Sequence, residues 1–386
     1  MKIGIDARMM GVGYGIGRYI EQLILNLQKI DHDNQYIFFV KKDFSLPAQA
    51  GLKISDYSRF RTVVVDIPWY GWEEQVKIPK IIKKEKVDLM HFPHWNVPLF
   101  YNEPFVVTIH DLIMFHFPRP EATTLGPLKF WFKDLFHRII LKNAIKKAKH
   151  VITTSEFTKQ DLYKTLGAPM AKMTTVYQAP ANLNPKSEIR NPKLVMEKYN
   201  IKKPYVLYVG SAYPHKNLDG LLKAWKIFLD KYNLDFQLVL VGKRSLYRHA
   251  YKKLRQQYNN LTIEQSDSVI FTGFVPDDEL STLYRKAQLY IFPSLYEGFG
   301  LPPLEAMVHG VPVASSNRTC LPEILGEGAI YFDPENIEQM ADIINTGLTD
   351  ENIRHDLSVS GPQELQKYSS QKLAKETLAV YKLSCG

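Results

Sequence analysis

The stretch LYIFPSLYEGFGLPPLEAMVHGVPVAS, residues 289–315, contains an apolar strand, a glycine-containing loop, a helix and a second apolar strand. Gly298 and Gly300 allow a tight turn, and the paired prolines that follow suit the first turn of a helix, where amide hydrogens lack partners anyway. Gly310 is placed to end that helix. A strand that passes through a short loop into a helix and then into another strand is the repeating unit of a parallel α/β sheet.

Two glutamates occupy different parts of this unit. Glu297 falls in the loop and Glu305 in the helix. The start of a helix offers a positive dipole end and amide donors to a phosphate, whereas a carboxylate facing a diphosphate would repel it. We therefore expect both glutamates to contact sugar hydroxyls beside such a phosphate. The structural alternative is that Glu305 is a helix-start charge and Glu297 a surface residue of the loop.

The same alternation of strand and helix runs along the whole chain in two series. The first series covers residues 1–183 and the second covers 201–365, with a polar, proline-containing linker over 184–200. The final segment, 366–386, is predicted to be a helix that packs back on the first domain. This organisation predicts an α/β protein with two doubly wound Rossmann-like domains that face each other across a cleft, where ligands meet the carboxyl ends of the strands.

Composition narrows the class of protein. The chain has 386 residues and a formal net charge of +9, which indicates anionic partners or serves solubility alone. It has no apolar run long enough to span a membrane, and its start has no apolar stretch typical of a signal peptide. The two cysteines, Cys320 and Cys385, lie far apart, so neither a disulfide framework nor a structural zinc site is expected. We expect a cytoplasmic protein, either free or at the inner face of the cytoplasmic membrane.

Several blocks, taken together and in this order, resemble glycosyltransferase family 4, whose members are retaining enzymes of the GT-B fold that use nucleotide-sugar donors. The blocks are GYGIGRY, VTIHDL, VITTSEFTKQDL, VGSAYPHKNLDGLLKAW, FTGFVPDDEL and PSLYEGFGLPPLEAMVHGVPVASS. The resemblance covers nearly the whole chain. It implies a GT-B architecture with an acceptor side in the first domain and a donor side in the second.

The resemblance also implies roles for individual residues. Glu297 matches the residue that contacts the hydroxyls of the donor sugar, and Glu305 matches the one that holds the ribose. His110 matches a histidine beside the reacting sugar, so His110 and Glu297 are the candidate catalytic residues. The implied donor-binding residues are Gly15, Gly17, Ser211, Lys216, Lys243, Phe274, Val275, Gly298, Phe299, Gly300, Leu301 and Glu305.

The phosphate contacts depart from the family pattern at one position. Lys216 fits a phosphate-binding lysine, but many relatives carry an arginine shortly before it, and this chain has Ser211 and His215 in that region. Lys243 or Arg244 could supply the second cation, or His215 could replace it in part. The sequence does not decide among these.

The function that this resemblance implies is retaining transfer of a hexosyl group, with mannosyl from GDP-mannose as the best assignment, to a glycan or lipid-linked acceptor in polysaccharide or glycolipid biosynthesis. We expect neither a metal nor a cofactor, because positioned cations and amides can stabilise the leaving diphosphate. Two alternatives stay open. One is a sugar-nucleotide epimerase of the same fold. An NAD-dependent dehydrogenase is disfavoured, because the glycine spacing around Gly15 is not that of a dinucleotide-binding loop. The other is a non-catalytic basic binding protein, although we expect no nucleic-acid partner.

The segment GPLKFWFKDLFHRIILKNAIKKAKH, from Gly126, mixes aromatic residues with many lysines. One interpretation is a helix that lies on an anionic membrane surface, which would suit a lipid-linked acceptor. The alternative is a helix that packs its apolar face on the sheet and leaves its basic residues in water.

Overall fold

The computed structural model describes residues 1–11, 15–42, 58–118, 126–180, 191–242 and 268–385, without the side chains of 126–129. The chain forms two compact units. Unit 1 comprises residues 1–179 and 368–386, and unit 2 comprises residues 180–367.

Unit 1 is built on a parallel sheet of strand order β3-β2-β1-β4-β5-β6-β7. Its strands are β1 (Lys2–Asp6), β2 (Gln35–Val40), β3 (Phe60–Val64), β4 (Leu89–Phe92), β5 (Phe105–Ile109), β6 (His150–Thr153) and β7 (Met173–Thr175). The central strands β4, β5 and β6 are buried along their whole length. Burial on both faces explains their continuous apolar runs, because helices cover both sides of a parallel sheet.

Helices on the two faces of this sheet complete unit 1. They are α1 (Ile16–Ile30), α2 (Trp72–Glu85), α3 (Ile113–His116), α4 (Gly126–Lys147), α5 (Glu156–Leu166) and, from the end of the chain, α13 (Ser370–Cys385). In α1 the buried positions include Tyr19, Ile20, Leu23 and Leu27, at the spacing of one helical face. That face packs into the core of the unit.

The terminal helix α13 packs on α1 and the sheet. Leu373 and Tyr381 belong to the same buried core cluster as Leu23. The Tyr381 hydroxyl shares a 2.7 Å hydrogen bond with Nδ1 of the buried His91, whose Nε2 shares another, of 2.8 Å, with the Thr108 hydroxyl. Burial is the main reason that the pKa of His91 falls to about 3, so its ring is neutral at physiological pH.

We expect Tyr381→Phe to destabilise the protein by about 1–3 kcal/mol, because the change leaves a buried ring nitrogen of His91 without its partner while the packing is kept. Chemical denaturation measures this effect. Tyr163→Phe is the matched control, since Tyr163 is 52% exposed and should unfold like the natural protein. Equal stabilities for the two variants would show that the buried bond contributes nothing.

Unit 2 repeats the design with a parallel sheet of strand order β10-β9-β8-β11-β12-β13. Its strands are β8 (Tyr205–Val209), β9 (Gln237–Val241), β10 (Val269–Gly273), β11 (Leu289–Phe292), β12 (Val313–Ser316) and β13 (Ala329–Phe332). Its helices are α6 (Pro192–Lys198), α7 (Leu218–Tyr232), α8 (Asp277–Lys286), α9 (Leu301–Val308), α10 (Leu321–Leu325), α11 (Ile337–Thr349) and α12 (Glu351–Leu365).

The segment predicted as a linker, 184–200, contains α6. Asn191 caps this helix by accepting a hydrogen bond from the amide of Lys193. At its other end Lys198 donates 2.8 Å hydrogen bonds to both carboxylate oxygens of Glu279 in α8. The second half of the predicted linker is therefore a helix that belongs to unit 2.

The predicted fold class, two doubly wound α/β domains, is confirmed. Both sheets have a switch point, where the chain leaves two neighbouring strands in opposite directions along the sheet. These points lie between β1 and β4 and between β8 and β11. Ligands of open α/β sheets bind beside the carboxyl ends of the strands at such points. No helix within the described ranges is both long and apolar enough to cross a bilayer.

Candidate active site

The loops that follow β8 and β11 meet at the switch point of unit 2. The amide of Leu295 donates a 2.7 Å hydrogen bond to the carbonyl of His215. Lys216 Nζ donates a 2.5 Å hydrogen bond to Glu297 Oε1, and the two side chains are only 15% and 9% exposed. The structure thus brings together two predicted site residues that are far apart in the sequence.

Lys216 is positioned by its local backbone. It ends a 3₁₀ turn, Pro214–Lys216, and Asn217 follows in the left-handed conformation at φ +54°. The Asn217 side chain donates a 2.8 Å hydrogen bond to the carbonyl of Pro334. The ammonium group also lies 5.4 Å from the centre of the Phe292 ring. These contacts hold a cation at the carboxyl edge of the sheet.

The loop after β12 holds the backbone of Glu297 in place. Its amide donates a 3.1 Å hydrogen bond to the Thr319 hydroxyl, and its carbonyl accepts a 3.3 Å contact from Cys320 Sγ. Thr319 adopts φ +57°, which is unusual for a β-branched residue and is found where the surroundings enforce it. Burial, and next the Glu297 carboxylate, raise the pKa of the Cys320 thiol well above its ordinary value, so this cysteine stays protonated.

Gly300 separates Glu297 from helix α9. Its φ is +96°, and a Cβ added there would lie 2.8 Å from Leu321 Cδ2, so only glycine fits. Helix α9 begins at the next residue, Leu301. Because Pro302 and Pro303 have no amide hydrogen, the donors that this helix start can offer a ligand are fewer than usual, and those of Gly300 and Leu301 are the candidates.

Glu305 lies on α9 and is 5% exposed. The Tyr284 hydroxyl donates a 3.2 Å hydrogen bond to its Oε2. Burial and then the Glu305 charge raise the pKa of Tyr290 well above its ordinary value, with a smaller contribution from Glu297. Both carboxylates therefore act on Tyr290. As predicted, Gly310 follows the helix in the left-handed conformation, at φ +71°.

Other predicted donor-side residues lie at the same edge of unit 2. The Ser211 carbonyl accepts a 2.9 Å hydrogen bond from the Tyr208 hydroxyl. Phe274 is 54% exposed, whereas Val275 is 4% exposed, and both follow β10. Gly298 and Phe299 are buried in the loop before α9.

The candidates for a second phosphate cation are His215, Lys243 and Arg244. His215 is 2% exposed, which disfavours it as a cation that faces solvent. Lys243 and Arg244 lie outside the described residues.

Three predicted site residues belong to unit 1. Gly15 is exposed at the start of α1 with φ +44°. Gly17, a predicted donor-binding residue, lies inside the first turn of α1 and is buried. His110 follows β5, and its Nε2–H donates a 2.8 Å hydrogen bond to the Pro93 carbonyl.

The environment of His110 keeps its ring neutral. Burial lowers the pKa of His110 to about 4, and the hydrogen bond to Pro93 opposes that shift. The Gln178 side-chain amide is 3.1 Å from Nδ1 and donates to it. A neutral ring with both nitrogens bonded is suited to positioning and not to proton transfer at physiological pH.

Asp31 has a structural role in the turn after α1. Asp31 is 2% exposed and accepts a 2.7 Å hydrogen bond from the side chain of Asn34 in the turn after α1. The part of the chain that the structure describes has no cluster of histidine, cysteine or acidic residues arranged to hold a metal ion.

Comparison with known proteins shows the family to which the chain belongs. The family model described as "Glycosyltransferase Family 4" matches residues 14–179, and that described as "Glycosyl transferases group 1" matches residues 193–364. The chain is 31% identical over 301 residues to the O-antigen chain mannosyltransferase RfbU of Salmonella typhimurium, covering 75% of each protein. The chain belongs to glycosyltransferase family 4.

This family 4 enzyme is also 29% identical to the O-antigen chain mannosyltransferase B of Escherichia coli, over 96% of each chain. Among solved structures, HepE of Anabaena in complex with UDP and glucose superposes with a TM-score of 0.74 at 18% identity, over 99% of each chain. The predicted GT-B fold and the prediction of a glycosyltransferase are confirmed.

Sequence reasoning missed several residues around these sites. Thr319 carries no motif signal, because its importance comes from a backbone conformation that the sequence does not display. Arg8 and Glu74 were missed as well; they bond to each other in unit 1 and lie in separate segments of the chain. The Asp-Ala-Arg tripeptide at the end of β1 was the available signal.

Proposed function

We propose that this glycosyltransferase moves a mannosyl group from a nucleoside diphosphate sugar, with GDP-mannose as the first donor to test, to a hydroxyl group of a glycan or lipid-linked acceptor, with retention of anomeric configuration. The observation that carries the proposal is the Lys216–Glu297 pair at the switch point of unit 2, directly before a glycine-led helix. The names of the relatives support the choice of mannose.

The donor site follows from the charges at this edge. The diphosphate accepts hydrogen bonds from the Lys216 ammonium and from the amides of Gly300 and Leu301, because a cation and a helix start both favour a phosphate there. Glu297 accepts hydrogen bonds from hydroxyls of the donor sugar, and Glu305 accepts them from the ribose. Lys216 must then exchange its hydrogen bond to Glu297 for one to phosphate.

In the transfer step the bond between the anomeric carbon and the diphosphate oxygen breaks, and the acceptor oxygen bonds to the same face of that carbon. The acceptor proton passes to the departing phosphate oxygen. Negative charge grows on the diphosphate as its bond breaks, so the Lys216 cation stabilises the transition state more than the bound substrate. We propose that no divalent metal is required, and activity that survives excess EDTA supports this.

A panel of GDP-, UDP- and dTDP-sugars tests the donor assignment. The expected result is that GDP-mannose raises the unfolding midpoint most and is hydrolysed slowly in the absence of acceptor. A panel in which no sugar nucleotide stabilises the protein or is consumed contradicts the proposal. Release of an epimerised sugar nucleotide with no need for an acceptor would point to an epimerase instead.

We further propose that the first half of helix α4 rests on an anionic membrane surface. The helix has two parts: Ile140 and Leu141 are buried, whereas Trp131 and Phe132 are 54% and 70% exposed. Leu135 is 55% exposed on the same half of the helix. Exposed aromatic and aliphatic side chains next to lysines are typical of helices that lie in a membrane interface.

The double change Trp131→Ser and Phe132→Ser should reduce binding to vesicles that contain phosphatidylglycerol at least about tenfold, because two apolar side chains leave the interface. Vesicle co-sedimentation measures this binding. Phe100→Ser is the control, since Phe100 is also exposed, at 57%, but lies outside α4. Binding that is unchanged in the double variant, or equal on neutral vesicles, contradicts the membrane role.

A further inference from the structure

A small cavity lies at the carboxyl edge of the sheet in unit 1. Asp6 and Arg8 reach it from the end of β1, and Phe92 and His94 reach it from the end of β4. These strands flank the switch point of this sheet, so the cavity occupies the position in unit 1 that the Lys216–Glu297 pair occupies in unit 2. A cavity in this position is where an open α/β sheet binds a ligand.

A buried guanidinium forms one wall of the cavity. Arg8 is 2% exposed and donates from Nε and Nη2 to the two carboxylate oxygens of Asp6, at 2.8 and 2.6 Å. Its Nη2 also donates to Glu74 Oε1 at 2.8 Å. Burial alone would lower the pKa of Arg8, but the two carboxylates raise it above its ordinary value, so Arg8 is permanently charged.

Asn96 also lines the cavity and is 4% exposed. Its side-chain amide donates a 2.9 Å hydrogen bond to Glu74 Oε2, which also accepts from the amide of Tyr70 at 2.7 Å. Arg8, Glu74 and Asn96 are thus joined in one buried network. A buried polar group in such a network is costly when one of its hydrogen bonds is missing.

Two atoms of this network are left without a hydrogen-bond partner among the residues that the structure describes. They are Arg8 Nη1, a donor, and Asn96 Oδ1, an acceptor. Both residues line the cavity. A buried donor and a buried acceptor at one cavity indicate a ligand group that can accept and donate at once.

The charges around the cavity favour a hydroxyl group over an anion as its ligand. Two carboxylates, Asp6 and Glu74, surround one guanidinium, and burial lowers the pKa of His94 to about 3, so His94 adds no positive charge. A phosphate or carboxylate would meet net negative charge and the lone pairs of Asn96 Oδ1. A hydroxyl accepts from Arg8 and donates to Asn96 without that repulsion.

The cavity volume is about 10 Å³, which is room for about one water-sized oxygen. Met9, Trp69 and His94 line it and are half-buried, so part of its lining reaches the surface of the unit. Pro93 also lines it and accepts the hydrogen bond of His110. His110, which the family resemblance places beside the reacting sugar, is therefore hydrogen-bonded to a residue that lines the cavity.

We propose that this cavity binds a single hydroxyl group of the sugar acceptor and so sets which acceptor sugars the enzyme accepts. The proposal rests on the proposed transferase function. The hydroxyl that enters the cavity accepts a hydrogen bond from Arg8 Nη1 and donates one to Asn96 Oδ1. The rest of the sugar lies outside, beside the half-buried rim of Met9, Trp69 and His94.

The test compares the effect of removing one acceptor hydroxyl in the natural enzyme with its effect in a variant that lacks the Asn96 side chain. Octyl α-mannoside, octyl glucoside and octyl galactoside are screened as acceptors, and the monodeoxy series of the best one is assayed with the natural enzyme and with Asn96→Ala. One deoxy position should lower kcat/KM at least about tenfold in the natural enzyme and by a clearly smaller factor in Asn96→Ala, where only the hydrogen bond to Arg8 is left to lose. Asn96→Ala itself should raise the acceptor KM by a similar factor.

A structural defect is separated from a recognition defect by two controls. Asn102→Ala removes an exposed asparagine of the same unit and should keep the natural deoxy profile. GDP-mannose should still raise the unfolding midpoint of Asn96→Ala, because the proposed donor contacts lie in unit 2. If no sugar nucleotide binds to the natural enzyme, the transferase proposal fails, which is a different result from failure of the cavity proposal.

Crystals soaked with the octyl glycosides give a second readout that needs no turnover. A sugar oxygen within hydrogen-bond distance of Arg8 Nη1 and Asn96 Oδ1 supports the proposal. An ordered water in the cavity at saturating glycoside overturns it, and so does a deoxy series that loses the same factor in both proteins.

Discussion

Glu297→Gln is expected to lower the rate of mannosyl transfer by about 100-fold or more, which corresponds to at least about 2.7 kcal/mol of transition-state stabilisation. The glutamine keeps the shape of the side chain but removes the charge that orients the sugar hydroxyls. The backbone bonds to Thr319 and Cys320 do not involve the carboxylate, so the loop should keep its position. The measurement is kcat/KM with donor and acceptor below saturation.

The same variant should bind free GDP several-fold more tightly than the natural enzyme. The Glu297 carboxylate accepts a 2.5 Å hydrogen bond from Lys216, and a diphosphate must compete with that carboxylate. Removing the negative charge frees the ammonium for phosphate. Glu338→Gln, an exposed glutamate on α11, is the control and should change neither quantity. A transfer rate within about threefold of the natural one, less than about 0.7 kcal/mol, means that Glu297 does not hold the reacting sugar.

Lys216→Ala should weaken binding of GDP and of GDP-mannose alike, by about 10- to 100-fold, since a charged hydrogen bond to phosphate contributes about 1.5–3 kcal/mol. Its effect on transfer should be larger still, because the charge on the diphosphate grows in the transition state. Isothermal titration gives the affinities and steady-state kinetics gives the rates.

A matched lysine separates this effect from a change in net charge. Lys223 lies on α7 of the same unit with its side chain 56% exposed, and Lys223→Ala should bind GDP as the natural enzyme does. Because Lys216→Ala leaves Glu297 buried without its partner, some loss of stability is expected as well. Adding Glu297→Gln to Lys216→Ala should recover that stability but not the affinity for GDP. Unchanged affinity in Lys216→Ala removes this lysine from the phosphate site.

Most of the fold could be predicted because its elements are long or strongly apolar. Helix α1 spans Ile16–Ile30, as the spacing of its apolar residues predicts. The short strands β7 and β13, and helix α10, were missed. Strand β7 is Met173–Thr175, three residues whose pairing with β6 is set by neighbours distant in sequence. A segment of that length carries too little periodicity to reveal its conformation.

The candidate site was predictable where a local motif carries it. The loop of Glu297, the left-handed Gly310 and the start of α9 all follow from neighbouring residues. The bond between Lys216 and Glu297 could not be predicted from spacing, because it depends on β8 and β11 being neighbours in the sheet. The cavity of Arg8 and Asn96 depends in the same way on β1 and β4.

The sharpest test of the central claim is a crystal structure of the enzyme with GDP-mannose. We predict that the diphosphate lies within hydrogen-bond distance of Lys216 Nζ and the amide of Leu301, with Lys216 no longer bonded to Glu297. The mannose hydroxyls should contact Glu297, and the ribose hydroxyls should contact Glu305. A nucleotide bound on another surface, or bound here with the Lys216–Glu297 pair intact, contradicts the proposed site.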